Sequence, residues 1–465
     1  MTRDAAISAA EARFDDGAFI GDLARLVAIP TESQRPESAP ALARYLEVEM
    51  RPLLAAMGFE CRILPNPAPG GGPFLVAERR EGDELPTVLT YGHGDVILGM
   101  EDRWRDGLSP WRLQAEGERL YGRGAADNKG QHLLNLTALS AVLETRGRLG
   151  FNVRVVIETG EEAGSPGMHE LFIAERAALA ADVLIASDGP RLSADRPTLF
   201  MGARGAVTMD LTVDLREGAH HSGNWGGLIA DPGLILAHAL ATITDARGAI
   251  QVPEWRPSSL TNSVRAALAD LAIEASAGGP SIDEDWGEPG FSAAEKVFGW
   301  NSFAVLASVC GDPARPVNAI QPKASARCQL RFVVGTEMED IVPALRRHLD
   351  RAGFPMVRVE QSSEAAFTAT RLDPDAPWAR WAAASLEKTT GARPAILPNL
   401  GGSLPNEEFA ETLGMPTIWV PHSYTGCSQH APDEHALKPI LREGLAIMAG
   451  LWWDLGEPGT PPRDA

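Results

Sequence analysis

Cysteine is scarce: 4 residues in a chain of 465, at positions 61, 310, 328 and 427, and no pair forms a C-x-x-C. That spacing argues against a disulfide scaffold or a cysteine zinc finger, and free thiols in a reducing cytoplasm are expected. Basic charge is also short, with 42 Lys and Arg against 62 Asp and Glu, for a net charge of −20. An acidic surface disfavours nucleic acid and anionic membranes as partners, while leaving the charge of any one pocket open. No run approaches the ~18 apolar residues of a membrane span. The opening stretch, MTRDAAISAAEARFDDG, is acidic and has no apolar core, so it does not read as a secretory signal. Internal repeats are missing. The Pro/Gly loop LPNPAPGGGPF (64–74) lacks the Gly-Lys-Ser/Thr ending of a phosphate loop and reads as a turn.

What is present is a chain too long for one hydrophobic core, with an ordinary 44% apolar content. From residue 15 to about 200, helical stretches alternate with short apolar runs such as TVLTY, FNVRVVIE and DVLIAS. This is the rhythm of a sheet covered by helices on both faces. Near residue 205 the pattern changes. In AVTMDLTVDL, Val207, Met209, Leu211, Val213 and Leu215 alternate with Thr208, Asp210, Thr212 and Asp214, and ASARCQLRFV (324–333) alternates too. Such strands have one wet face, as in an antiparallel sheet. PTIWVPH and KPILREGLAIMAGLWWDL then return to the first style, before a tail, GEPGTPPRDA, that reads as frayed. The expected fold class is α/β: a catalytic domain over 1–204 and 371–465, interrupted by a smaller α+β domain over 205–370.

In open α/β sheets ligands sit beyond the carboxyl ends of the strands. After TVLTYG come His93 and Asp95; after RVVIETG come Glu161 and Glu162; after DVLIAS comes Asp188; after PTIWVP come His422 and His430. Each alone is commonplace, as a surface pair, a solvated turn or a helix cap. Together they form the imidazole-plus-carboxylate set that holds zinc and its neighbours. Gly122–Gly130, GRGAADNKG, begins like a dinucleotide loop, but Asp127 stands where the third glycine belongs. An acid there would repel a pyrophosphate and suits a cation better, which weakens a nucleotide-dependent oxidoreductase reading.

In order along nearly the whole chain, YGHGDV, ERLYGRGAADNKGQ, TGEEAGSPG, ASDG, HHSGNWGG, VNAIQPKASARCQLRF, GGSLP and HAPDE resemble the co-catalytic zinc peptidases that include carnosinase-type dipeptidases, aminoacylases, acetylornithine deacetylase and carboxypeptidase G. The run W…SPW…ERLYGRGAADNKGQ and the GGSLP loop lean to the dipeptidase branch. That branch usually reads Asp-Val-Gln-Pro after the metal histidine, where this chain has DVIL. The resemblance implies a mixed-sheet catalytic domain with a lid or dimerisation domain, and two divalent metal ions, zinc first, with manganese or cobalt as alternatives. It implies His93, Asp127, Glu162, Asp188 and His430 as ligands, with Asp127 bridging. Asp95 would orient His93, and Glu161 would be the general base. His221 and Asn318 would reach the partner subunit's site in a homodimer, and Arg331 would hold the substrate's free carboxylate. Gly402 and Ser403 lie in a loop that reads equally as a helix cap or as an anion site at a helix start. The implied activity is hydrolysis of dipeptides or short peptides. Removal of an acyl group from an amino acid, or hydrolysis of another C–N amide bond in a non-peptide substrate, is the alternative within the class, and a catalytically silent binding protein the alternative outside it.

Overall fold

A computed structural model describes residues 2–273, 280–362 and 366–461. The last residues of the expected frayed tail, 462–465, lie outside these. Among the described residues no helix is long and apolar enough to cross a membrane.

The apolar runs of the first half become strands: β1 (Glu60–Leu64), β2 (Phe74–Arg79), β3 (Thr87–His93), β4 (Asn152–Glu158), β5 (Val183–Ala186) and β6 (Thr198–Phe200). Then come β7 (Gly205–Asp214), β8 (Ser302–Val309), β9 (Lys323–Phe332), β10 (Val357–Gln361), β11 (Ala395–Leu397) and β12 (Thr417–Trp419). The larger sheet has 8 strands in the order β1-β2-β4-β3-β5-β12-β6-β11. It is mixed: β3 runs parallel to β4 and β5, and β12 parallel to β5, while β1, β2 and β4 pair antiparallel. Every residue of β3 and of β5 is buried, as expected of strands with both faces covered.

Helix α1 (Lys129–Arg146) is buried from Lys129 through Val142 and ends at Gly147, whose φ of 81° suits a residue without a Cβ. It crosses one sheet face beneath α4 (Lys438–Leu455), itself almost wholly buried. A second apolar cluster, with Phe172, Phe200, Phe409 and Trp419, fills the opposite face.

The alternating stretches build a separate antiparallel sheet of 4 strands, β8-β9-β7-β10. Helices α2 (Pro232–Ile243) and α3 (Ile341–Arg351) cover one face, packing Leu236, Ile243, Leu345 and Leu349 on Val207, Met209, Leu211 and Val213. Asp231 caps α2 by accepting from the N–H groups of Gly233 and Leu234, ahead of Pro232 in the first turn. The polar face is not simply wet: Thr208 and Gln329 form part of a cleft wall, while Asp210 pairs with Arg327 at 2.9 Å in solvent.

Candidate active site

Parallel strands deliver their polar residues at the same sheet edge. His93 ends β3 and is fully buried. Its Nε2 lies 3.2 Å from Asp127 Oδ1, 3.6 Å from Asp188 Oδ2 and 4.0 Å from Glu161 Oε2. His430 Nε2 is 3.1 Å from Asp127 Oδ2 and 3.1 Å from Glu162 Oε2. Two groups therefore form, His93–Asp127–Asp188 and Asp127–Glu162–His430, each with its ligand atoms within 4.8 Å of one another. Asp127 belongs to both. Ser428, His430 and Asp433 have φ of 57°, 59° and 62°. Left-handed backbone disfavours side chains with a Cβ, so the loop that presents His430 is shaped against local preference.

Among the described residues, no lysine or arginine pairs with Asp127, Glu161, Glu162 or Asp188. The consequence is electrostatic. Burial, then Asp127, pushes Asp188 up to about 6 and Glu162 up to about 7. Burial, reinforced by Glu162 and Asp188, holds Glu161 well above the usual carboxylate range. Burial would raise Asp127 too, but its bonds to His430 and His93 outweigh that and lower it. Asp127 and Glu162 in turn raise His430 to about 11. Asp188 Oδ2 is buried and accepts no hydrogen bond. A buried carboxylate oxygen without a donor, in a cluster of like charges, is the arrangement a cation neutralises. The imidazole and carboxylate donors fit divalent zinc, manganese or cobalt.

Asp95 is fully buried beneath the cluster. His93 Nδ1 is 3.1 Å from its carbonyl oxygen and 3.4 Å from its carboxylate. That carboxylate also accepts from the backbone N–H of Glu161 (3.2 Å) and Glu162 (3.1 Å). It thus ties the histidine's strand to the single turn, Glu161–Ala163, that carries both glutamates.

The cluster lines a cleft of ≈ 700 Å³. Arg331, Gly402 and Ser403 line it as well. Arg331 Nη1 donates to Ser403 Oγ at 2.8 Å and its Nε to Gln329 Oε1 at 3.0 Å, and no carboxylate of the described residues pairs with it. Ser403 is not a helix cap. Its hydroxyl donates to the Arg204 carbonyl, and the helical stretch begins only at Asn406.

His221 and Asn318 are not brought to this cleft. Both are exposed, His221 on a short ribbon pairing His220–His221 with Ala319–Ile320 and Asn318 just before that ribbon's second strand. His422 also stands apart: it is fully buried, belongs to neither group of candidate ligands, and neither ring nitrogen has a partner among the described residues.

Sequence reasoning missed the brace behind Asp127. Buried Glu434 accepts at Oε1 from the N–H groups of Gly124 (3.0 Å), Ala126 (3.0 Å) and Asp127 (3.1 Å). Its Oε2 takes Arg123 Nη1 at 2.6 Å. Glu434 stands within the HAPDE motif, which was the available signal, but its target lies 307 residues away. Gln429, donating to Asp127 Oδ2, was missed for the same reason.

This geometry has relatives. The family model for peptidase family M20/M25/M40 matches residues 89–454. The chain is 36% identical to the Beta-Ala-His dipeptidase of Mus musculus over 185 residues, 39% of this chain and 37% of that protein. It is 27% identical to the cysteinylglycine-S-conjugate dipeptidase of Corynebacterium striatum, over 73% of this chain and 74% of that one. The M20 family metallo-carboxypeptidase Sso-CP2 of Sulfolobus solfataricus superposes with a TM-score of 0.79 at 22% identity, covering 94% of this chain and 99% of that one. A family match across most of the chain, on this mixed-sheet fold, shows that the protein belongs to peptidase family M20/M25/M40.

Proposed function

We propose that the protein is a metal-dependent dipeptidase, cleaving dipeptides or short peptides that end in a free carboxylate. The observation that carries this reading is a single cleft lined both by a cluster of acids with no lysine or arginine partner among the described residues and by Arg331, which pairs with no acid among them. Arg331's planar fork suits a substrate carboxylate, and the Ser403 hydroxyl holds that fork in place.

His93, Asp127 and Asp188 would hold one divalent ion, and Asp127, Glu162 and His430 a second. When bound, such ions are Lewis acids that polarise a carbonyl and acidify water. Zinc is the first choice, with manganese or cobalt suited to the same donors. Glu161, raised above the usual carboxylate range, is the group left to move protons. It takes one from the attacking water and gives it to the leaving nitrogen. Asp95 keeps Glu161 and Glu162 in register through their backbone N–H groups.

Residues 205–370 act in this reading as a lid and dimerisation unit. His221 and Asn318 are exposed there, beside a surface with Leu228 76%, Val317 63% and Val309 61% exposed. A second copy docked on this face would carry its own His221 and Asn318 to the cleft. The free cysteines fit work in a reducing cytoplasm.

The test is a hydrolysis panel on metal-replete protein: dipeptides, the same dipeptides amidated at the C-terminus, and N-acyl amino acids. Preferential cleavage of free-acid dipeptides is expected. Cleavage of only the N-acyl amino acids would replace dipeptidase by deacylase.

A further inference from the structure

A second cavity, of ≈ 460 Å³, lies on the far side of the Gly401–Ser403 loop from the cleft. Gly402 and Ser403 line the cleft, while a Cβ on Gly401 would come within 3.3 Å of Val297, which lines the second cavity. One turn of backbone thus separates the two. The second cavity is walled by Trp286, Phe291, Trp300 and Phe303. Phe291 and Trp300 meet edge-on at 4.9 Å, and Trp286 stays 60% exposed.

Among the described residues, one buried cation lines this aromatic space. Arg204, 5% exposed, lines it. Its Nη2 donates to Ser302 Oγ (2.7 Å) and to the Arg331 carbonyl (3.0 Å), its Nε has no partner, and no acid of the described residues pairs with it. Burial, then Arg331, brings its pKa down to about 10. By contrast the neighbouring cations are engaged, Arg256 with Glu288 and Lys296 with the Glu284 carbonyl. Asp283 and Glu284 stand exposed at the rim. An apolar pocket of this size with a few convergent polar groups is the usual form of a small-molecule site.

We infer that this lateral cavity is a second ligand site, taking a small carboxylate with an aromatic side chain. The rings receive the side chain, Arg204 receives the carboxylate, and the rim acids face any ammonium group. Two sources share this chemistry: a free aromatic amino acid and a simple aromatic acid.

The experiment is calorimetry, with tryptophan fluorescence, on the metal-replete full chain carrying Arg331→Ala, which disables carboxylate capture in the cleft. Phenylalanine, phenylpropionate and phenylalaninamide are the probes. At least one of the two acids should bind at millimolar concentration or below. Phenylalaninamide should bind about tenfold to a hundredfold more weakly than that acid, the loss expected for one charge-assisted bond. Tighter binding of phenylalanine than of phenylpropionate identifies an amino acid as the ligand; the reverse identifies a simple acid. Trp286→Ala should weaken binding about tenfold, as for an aromatic anchor. Arg204→Gln should remove the preference for acid over amide while Arg204→Lys keeps part of it, and Phe291→Ala, which should weaken acid and amide alike, tests the aromatic wall if the Arg204 variants do not fold. No binding in the Arg331→Ala protein, or binding unaffected by Trp286→Ala, would overturn the site.

Discussion

Two buried acidic spots lie side by side in this molecule and are built in opposite ways. Glu434 is closed off: three backbone N–H groups and Arg123 satisfy both its oxygens. Across the Asp127 loop, Asp188 is buried and Glu161 and Glu162 are half-buried, no lysine or arginine of the described residues pairs with them, and Asp188 Oδ2 has no donor among those residues. The first spot shapes a loop. The second is unfavourable as it stands, and that is the property a cation site requires. Burial alone does not separate a structural acid from a functional one; the partners do.

The contrast can be broken from either side. Removing an acid from the unsatisfied spot should cost chemistry rather than stability. Glu161→Gln should lower kcat by ~10²–10⁴-fold while metal content, measured on the same preparation, is retained. Its metal-free form should melt no lower than the parent, because one repelling carboxylate is gone. Removing a partner from the satisfied spot should cost stability. Arg123→Met leaves Glu434 buried without its cation, and urea denaturation should show a loss of ~3–5 kcal/mol. If Arg123→Met were as stable as the parent, Glu434 would not be the brace described.

At Arg331, which lines the same cleft, a smaller effect is expected. Arg331→Ala should abolish the preference for free-acid over amidated dipeptides, a difference of ~1.5–3 kcal/mol in kcat/KM. Equal cleavage of both by the parent would return Arg331 to a structural role.

Glu407 sharpens the comparison as a half-buried acid that belongs to neither spot. Its Oε2 has no partner, and burial pushes it up to about 8. An acid whose folded pKa is raised binds its proton more tightly when folded. Its contribution is therefore complete below the ordinary value of 4.5 and is lost as the pH rises to about 8. Glu407→Gln should melt higher than the parent above pH ~8, by a few degrees, with the difference vanishing near pH ~4. A constant difference across that range would contradict the assignment.

Much of this was legible in the sequence because it is local. TVLTYGH and NVRVVIE announce buried strands, and a polar residue just past such a run has nowhere to point but the sheet's carboxyl edge. The family and fold class follow from those motifs in order. What was not legible depends on chain reversals. Glu434 meets residues 124–127, and Ser403 meets Arg331 rather than a helix end. Thr208 reads as a solvent-facing position, yet it is buried in the cleft wall, where its hydroxyl accepts from Gln329 Nε2 on the neighbouring strand. His422 follows an apolar run as the others do, but it stays apart from the cluster.

The central claim is that the unsatisfied acids hold cations. Its most direct test is divalent-metal titration of the dialysed chain, by calorimetry with elemental analysis. Two groups sharing Asp127 predict about two ions per chain, and Asp127→Asn should lower the affinity for both. No binding by the parent, or an unchanged titration in Asp127→Asn, would contradict it.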